Sequence, residues 1–278
     1  MTRHAPWIVP CALLLWVAPA KSAGDMPDWA LPMKQVHQKF TGTNGTLASF
    51  GDSITVTLAY WAPLQGGPKK ADAEAVKAYQ LVKAYMQPPC WREWRGPDFG
   101  SNGSMTIRWA HENMERWLKK HNPETAVIMF GTNDLTQVDA KEYEQKTREV
   151  VDKCLGNGTV VILTTIPPPS GQLDKSKQYA EIVRKIAKDM KVPLIDYQAE
   201  VLKRRPDDWD GSKLKGDVKD VYQVPTLISG DGVHPSNPSK FQECTEEGLK
   251  SNGYLLRNYL TLRAYAEVIN NVLKPKSK

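Results

Sequence analysis

The chain has 278 residues, of which 41% are hydrophobic and 24% are charged, and its formal net charge is +6. These proportions are ordinary for a soluble globular protein that buries a sizeable core. The basic excess is small and spread along the chain, so it does not indicate binding to nucleic acid.

The N-terminus has the features of a secretory signal peptide. Arg3 is followed by an apolar stretch over residues 5–20, with small-x-small cleavage sites within 18–22. The stretch is shorter than the roughly 20 residues that a membrane span needs, and prolines interrupt it. We therefore expect residues 1–23 to be removed, and residues 24–278 to be secreted or periplasmic, without stable membrane insertion.

Apolar runs alternate with helical patterns along the rest of the chain. The predicted strands are, in order, residues 46–50, 125–130, 159–166 and 192–196. The predicted helices are residues 71–87, 105–121, 141–155, 175–190 and 239–273, the last broken near 251–253. Strands separated by helices of this length are joined by right-handed crossovers. The chain is therefore predicted to be an α/β protein, a three-layer α/β/α sandwich with a central parallel sheet.

The sequence contains no internal repeat and no linker that would divide it, so residues 24–278 are expected to form one domain. Residues 200–228 are polar and charged, and we interpret them as a surface insertion. The composition fits a solvated loop, and it also fits a lid that carries Trp209.

Three cysteines follow the predicted signal peptide: Cys90, Cys154 and Cys244. One disulfide is possible, and the pairing stays open, with Cys90–Cys244 as one hypothesis and three buried free thiols as the other. Their spacing does not fit a zinc site.

The first of three short motifs, Gly51-Asp52-Ser53-Ile54, follows the first predicted strand. Ligands bind beyond the carboxyl ends of the strands in an open parallel sheet, so Ser53 is placed to attack a carbonyl carbon. As the first residue of the next helix, Ser53 would point its own N–H into the same crevice. Taken alone, the motif is equally an ordinary turn in which Asp52 or Ser53 caps a helix.

The second motif, Gly131-Thr132-Asn133-Asp134, has the same relation to the strand predicted at 125–130. The Asn133 carboxamide is a neutral donor that can bind a developing oxyanion without acting as a competing base. The alternative is a turn asparagine followed by Asp134 as a helix cap.

The third motif, Asp231-Gly232-Val233-His234-Pro235, lies in a loop. The three-residue spacing lets the Asp231 carboxylate reach one imidazole nitrogen of His234 while the other nitrogen faces outward. Such a histidine can take the proton of a serine, and the carboxylate stabilises the imidazolium. A solvent-facing loop histidine is the alternative.

Together the three motifs resemble those of the SGNH hydrolase superfamily, the GDSL-type esterases, over roughly residues 45–272. The resemblance implies the flavodoxin-like SGNH hydrolase fold and the hydrolysis of carboxylic esters through an acyl-enzyme. It implies these catalytic residues: Ser53, Asp231 and His234. It also implies an oxyanion hole formed by the N–H groups of Ser53 and Gly103 and the side chain of Asn133. The mechanism of this family needs no metal and no cofactor.

Gly103 matches the glycine motif of the family within Gly100-Ser101-Asn102-Gly103-Ser104. The family usually has an apolar strand before this glycine. Here residues 94–99 are Trp-Arg-Gly-Pro-Asp-Phe, which puts that strand in doubt and leaves Gly100 as the alternative donor.

The motifs leave the substrate open. If Trp61, Trp91 and Trp94 line the cleft, they favour short-chain (acetyl) esters on carbohydrate, because aromatic faces stack on sugar rings; otherwise they are core residues. One alternative is a lysophospholipase or thioesterase that acts on lipid acyl esters. The other is a non-catalytic exported carbohydrate-binding protein of the same fold. The expected partner is a small-molecule or glycan ester.

Overall fold

A computed structural model describes residues 26–214 and 219–273 of the chain. The predicted signal peptide, residues 1–23, lies outside these ranges. Within them, none of the helices combines the length and the apolar character that crossing a membrane requires.

The centre of the fold is a parallel sheet of four strands in the order β1-β2-β3-β4. The strands are β1 Leu47–Gly51, β2 Thr125–Met129, β3 Val160–Thr164 and β4 Leu194–Ile195. Every residue of β2 and β3 is buried, as expected for strands covered on both faces. The predicted α/β class, the parallel sheet and its four strands are confirmed. The last strand is shorter than predicted, in keeping with Pro193, which has no N–H to donate.

Helices cover both faces of the sheet. They are α1 Ala30–His37, α2 Ser53–Val56, α3 Ala73–Tyr85, α4 Ile107–His121, α5 Asp134–Gln137, α6 Ala140–Gly156, α7 Leu173–Asp189, α8 Tyr197–Arg204, α9 Glu246–Ser251 and α10 Gly253–Val268. One layer contains α4, α6 and α7, and the other contains α1, α3 and α10. The first four predicted helices are confirmed as α3, α4, α6 and α7, each with ends within two residues of the prediction. Asp72 and Asp139 cap the N-termini of α3 and α6.

The prediction of a helix from residue 239 was wrong at its start. Residues 239–245 are irregular, and α9 begins only after Thr245, whose hydroxyl accepts the Gly248 N–H at 3.2 Å. The predicted break is present at Asn252, which caps α10 by accepting the Leu255 N–H at 2.9 Å. The same Asn252 side chain donates to the Phe241 carbonyl at 2.9 Å. This long-range contact holds the irregular segment, and helical periodicity does not reveal it.

The doubtful strand before the glycine motif is reduced to one bridge. Ser101 pairs with Gly51 on the free side of β1, flanked by hydrogen bonds from Gly51 N to Gly100 O at 3.0 Å and from Asn102 N to Gly51 O at 3.1 Å. The residues just before it, Pro97–Phe99, form a short 3₁₀ turn. Pro97 has no N–H for a ladder, so a regular strand does not form there.

Residues 200–228 are anchored at both ends. The first few belong to α8, and Trp209, Leu227 and Ile228 are buried in the core. The Trp209 indole donates from Nε1 to the Pro168 carbonyl at 3.0 Å. The described exposed residues of the segment lie between these anchors, and its role as a lid stays a prediction.

The three cysteines are free and buried, so the hypothesis of a Cys90–Cys244 disulfide was wrong. Burial raises the pKa of Cys90 and of Cys244 to about 11 and that of Cys154 to about 12. The Cys90 sulfur accepts the Leu47 N–H at 3.3 Å, which ties this thiol to the start of β1. All three are therefore poor nucleophiles at neutral pH.

The attachment of the glycine motif to β1 leads to a stability prediction. Gly100 has φ +80°, and a Cβ there would lie 2.2 Å from the Phe50 ring. Gly171 has a similar φ of +68°, but a Cβ there meets open space. We expect Gly171→Ala to lower the free energy of unfolding by about 1 kcal/mol through backbone strain. Gly100→Ala should lower it by roughly 2–4 kcal/mol, because overpacking against Phe50 is added. Urea denaturation of both variants measures the difference, and equal losses would contradict it.

Candidate active site

The structure brings the first and third motifs into direct contact. The Ser53 hydroxyl lies 2.9 Å from Nε2 of His234, although 181 residues separate them. Nδ1 of His234 lies 2.7 Å from Oδ2 of Asp231. Serine, imidazole and carboxylate therefore form one continuous hydrogen-bonded chain.

Ser53 opens α2, a single helical turn directly after β1. Asp52 caps this turn, since its Oδ1 accepts the Ile54 N–H at 3.0 Å. Gly51 must be glycine here, because a Cβ would lie 2.1 Å from Thr55 Oγ1 and 2.7 Å from the Met129 carbonyl. The strand thus turns sharply into the helix, and Ser53 faces the carboxyl edge of the sheet.

A dense set of hydrogen bonds shapes the loop that carries Asp231 and His234. Oδ1 of Asp231 accepts from the Ser229 hydroxyl at 2.7 Å and from the backbone N–H groups of Val233 and His234 at 2.8 and 2.9 Å. Gly232 has φ +74°, and a Cβ there would lie 2.8 Å from the Ser170 side chain. The loop therefore holds one carboxylate oxygen and leaves the other for the imidazole.

The electrostatics of the pair follow from these contacts. Partial burial raises the pKa of Asp231, but the hydrogen bonds from His234, Ser229 and the backbone outweigh it and hold the pKa well below the usual range. The hydrogen bond to Asp231 raises the pKa of His234, and partial burial opposes this rise. At neutral pH the carboxylate is charged, so it can orient the ring and stabilise an imidazolium.

The sequence predicts three hydrogen-bond donors for an oxyanion: the N–H groups of Ser53 and Gly103 and the carboxamide of Asn133. Among the backbone hydrogen bonds of residues 26–214 and 219–273, none uses the N–H of Ser53 or of Gly103. Asn133 donates from Nδ2 to the Met105 carbonyl at 3.0 Å, while its contact with Oδ2 of Asp52 is long, at 3.5 Å. One N–H of the carboxamide is thus held firmly and the other only weakly.

The structure distinguishes the two candidate glycines. The N–H of Gly100 points to the Pro97 carbonyl at 3.4 Å, and its own carbonyl bonds Gly51, so Gly100 serves the attachment to β1. Gly103 has a free N–H, and a Cβ added to it would meet open space. An unpaired donor beside open space is what an incoming oxyanion requires.

Two buried carboxyl groups behind the site were not recognised from the sequence. Burial raises the pKa of Asp52 to about 6, and burial together with the nearby Asp52 charge raises that of Asp134 to about 7. Asp134 accepts the Ile107 N–H at 2.8 Å, which joins the asparagine loop to the start of α4. The sequence did contain a signal for this pair of buried carboxyl groups. Each of the two motifs carries an aspartate, and the two motifs follow neighbouring parallel strands.

Trp61 and Trp91 are core residues. They are 3% and 5% exposed, and their rings stack on each other with centroids 5.0 Å apart. Trp94 packs against Phe99 and His121. Of the two alternatives that the sequence left open, Trp61 and Trp91 therefore take the core position and give no support for sugar stacking in the cleft.

Tyr222, which the sequence reading missed, lies beside the triad instead. Its ring centroid is 6.1 Å from that of His234, and 36% of the residue is exposed. It follows Asp220, whose carboxylate accepts the Tyr222 N–H at 2.9 Å. Nothing in its local sequence distinguishes it, because only the fold brings residue 222 back to the histidine loop.

No group of three or more His, Cys, Asp or Glu side chains within the described parts of the chain is arranged to hold a metal ion. The expectation that neither metal nor cofactor is needed stays a prediction.

The Asp231–His234 contact leads to a prediction for histidine titration. In Asp231→Asn the charged acceptor is lost, so we expect the pKa of His234 to fall and its titration midpoint to lie at a lower pH than in the unaltered protein. NMR titration of the imidazole signals measures this. Asp220→Asn is the matched control, because Asp220 bonds the Tyr222 N–H and not the imidazole. An unchanged midpoint in Asp231→Asn would show that this contact does not govern the charge of His234.

Comparison with known proteins assigns the family. The family of GDSL-like lipases and acylhydrolases matches residues 49–238, and no curated protein matches the chain. LAE5, an alpha/beta hydrolase enzyme from the metagenome of Lake Arreo, Spain, is 16% identical with a TM-score of 0.51, covering 83% of this chain and 99% of LAE5. The psychrotrophic esterase EstA from Pseudoalteromonas sp. is 14% identical with a TM-score of 0.50, covering 81% of this chain and 99% of EstA.

A catalytic mutant of Axe2, an acetylxylan esterase from Geobacillus stearothermophilus, is 19% identical with a TM-score of 0.49, covering 81% of this chain and 95% of that one. At such identities LAE5 and EstA show a shared fold alone. The family match spans well over half of the sequence and includes Ser53, Asn133, Asp231 and His234. This protein therefore belongs to the GDSL-like lipase/acylhydrolase family.

Proposed function

We propose that this protein is a serine esterase that hydrolyses carboxylic esters through an acyl-enzyme. The observation that carries the proposal is the continuous chain from the Ser53 hydroxyl through His234 to Asp231, with contacts of 2.9 and 2.7 Å. Membership of a family of lipases and acylhydrolases supports the reaction class. Neither support depends on the fold alone, which hosts unrelated functions.

The first half-reaction forms the acyl-enzyme. Oγ of Ser53 attacks the ester carbonyl carbon as Nε2 of His234 takes its proton, and Asp231 stabilises the resulting imidazolium. The carbonyl oxygen gains the negative charge and accepts hydrogen bonds from the N–H groups of Ser53 and Gly103. The weakly held N–H of Asn133 is the third donor. One such donor typically contributes about 10²–10³ to the rate.

His234 then acts as an acid. It delivers its proton to the alcohol oxygen, the ester C–O bond breaks, and the alcohol leaves Ser53 acylated. In the second half-reaction a water molecule gives a proton to His234 and attacks the acyl carbon. Collapse of this intermediate returns the proton to Ser53 and releases the carboxylic acid.

The proposed substrates are short-chain esters, acetyl esters above all, on a carbohydrate. Because His234 protonates the leaving alcohol, the alcohol part of the substrate lies on the His234 side of Ser53. Tyr222 presents a partly exposed ring on that side, 6.1 Å from the imidazole. A ring in this place can stack on a sugar. Tyr222 is thus the aromatic side chain that supports a carbohydrate substrate, since Trp61 and Trp91 are buried in the core.

Export is part of the proposal and rests on the sequence of residues 1–23. Hydrolysis of lipid acyl esters and glycan binding without catalysis remain the alternatives. The following experiment separates the two kinds of ester hydrolysis, and a lack of turnover on every ester would favour glycan binding without catalysis.

Serine-dependent turnover of p-nitrophenyl acetate, butyrate and octanoate tests the function. We expect activity on acetate that falls with chain length and drops by at least about 10³-fold in Ser53→Ala, because the nucleophile is lost. Ser239→Ala, which changes an exposed serine, is the matched control. Activity that rises toward octanoate would replace the short-chain proposal by the lipid one. Turnover that survives Ser53→Ala would refute the serine mechanism.

The role of Tyr222 has its own test. For an acetylated oligosaccharide, Tyr222→Ala should raise KM by about two- to tenfold, since an aromatic contact contributes roughly 0.5–1.5 kcal/mol. For ethyl acetate, whose alcohol is too small to reach the ring, KM should change little. Tyr222→Phe keeps the ring but loses the hydroxyl that hydrogen-bonds Asp231, so its KM for the oligosaccharide should stay close to that of the unaltered protein even where kcat changes. Equal KM values in all three proteins would remove the support for a sugar.

A further inference from the structure

Arg257, on α10, is buried against the turn that carries Ser53. Only 1% of the residue is exposed. Its guanidinium donates from Nη1 to the Ile54 carbonyl at 2.7 Å and from Nη2 to Oγ1 of Thr55 at 2.9 Å. Both acceptors belong to the single turn of α2. Arg257 also lies beyond residues 49–238, so the family match does not include it.

This cation is buried without an ion pair. Within residues 26–214 and 219–273, the arginines that form ion pairs with carboxylates are Arg108, Arg116, Arg148, Arg184, Arg204 and Arg205. Arg257 is not among them, and its Nε has no acceptor. The ring of Tyr60 faces the guanidinium at 3.7 Å and replaces part of the lost hydration. Burying an unpaired charge destabilises a fold, so a role other than stability is the better explanation for it.

The contacts of Arg257 show what it holds in place. A single helical turn is unstable by itself, because nucleation fixes several residues for one hydrogen bond. Asp52 caps the start of this turn, and Arg257 binds the Ile54 carbonyl further along it. Thr55, its second acceptor, lies so close to Gly51 that a Cβ on Gly51 would be 2.1 Å from Oγ1. The guanidinium therefore stabilises the turn that leads from β1 into α2.

The next residue of α10 braces the segment after the turn. Oδ1 of Asn258 accepts the Trp61 N–H at 2.7 Å, and its Nδ2 donates to the Ala59 carbonyl at 3.0 Å. Trp61 has φ +65° and ψ −47°, a strained conformation for a bulky residue. Such strain persists only where surrounding contacts impose it, and it is concentrated at functional sites.

We propose that Arg257 is a positioning residue, which acts through the turn of α2 to hold the Ser53 hydroxyl in line with His234. The inference rests on the proposed serine mechanism. The guanidinium of Arg257 also places a fixed positive charge near Asp52, whose carboxylate caps the same turn.

The charge of Arg257 predicts a change in pH dependence. It lowers the pKa of Asp52 against the larger effect of burial, so its loss should raise that pKa above about 6. The other charged or titratable groups that act electrostatically with Asp52 are His234, Asp134, Tyr143 and Tyr254. A protonated Asp52 caps the turn less well than the carboxylate does. When the charge of Arg257 is lost, Asp52 is protonated already at a higher pH. As the pH is lowered, the activity of such a variant should therefore begin to fall at a higher pH than that of the unaltered protein.

The test compares Arg257→Gln, which keeps donors but loses the charge, with Arg257→Lys, which keeps the charge. Arg263→Gln, an exposed arginine on the same helix, is the matched control. For p-nitrophenyl acetate we expect Arg257→Gln to lower kcat by about tenfold to 10²-fold with KM within about twofold, since a displaced nucleophile impairs the transition state more than binding. The acid limb of kcat/KM should move to higher pH, and Arg257→Lys should recover part of kcat.

The rate of Ser53 labelling by a fluorophosphonate, normalised to the folded fraction from circular dichroism, separates positioning from unfolding. Labelling that falls in parallel with kcat in folded Arg257→Gln supports the proposal. A folded Arg257→Gln with unaltered kcat, labelling rate and pH profile would refute it. If the Ser53→Ala variant still turns over the ester at the rate of the unaltered protein, the proposed function is wrong, and so is the role of Arg257.

Discussion

The hydrogen-bonded pairing of β1 with β2 is the constraint on which the site depends. In this parallel pair Gly51 stands opposite Met129, so the two strands end at the same level of the sheet. The chain leaves one strand toward Ser53 and the other toward Asn133. Ser53, the proposed nucleophile, and the Asn133 carboxamide therefore lie at one edge of the sheet without a direct bond between them, and a slip of the register would separate them.

Local packing then completes what the register begins. Thr55 and the Met129 carbonyl lie so close to the Cα of Gly51 that no residue with a Cβ fits there. Asp134 binds the start of α4, and Asn133 binds the Met105 carbonyl, so the asparagine loop also holds the segment that leads from Gly103 into that helix. The proposed donors for an oxyanion thus lie on loops that hold each other in place, as preorganised electrostatic catalysis requires.

Stability and function are in tension around Ser53. Two aspartates and one arginine are buried there: Asp52, Asp134 and Arg257. Buried ionisable groups lower stability unless they are well paired, and here one oxygen of Asp134 and Nε of Arg257 have no partner. The large apolar core of β2, β3 and the helices around them offsets this loss. The cost is concentrated where a short turn has to present a reactive side chain.

The sequence by itself determined whatever depends on neighbours along the chain. The strands and most helix ends follow from periodicity and caps, and Asp231 and His234 meet because they lie three positions apart in one loop. Tertiary structure decided the rest. The glycine motif pairs with β1 through a single bridge, because Pro97 prevents a regular strand before it. Trp61 and Trp91 lie in the core. Tyr222 and Arg257 reached the site from distant segments. No local pattern encodes such contacts, because they arise only when the sheet and its helical layers pack together.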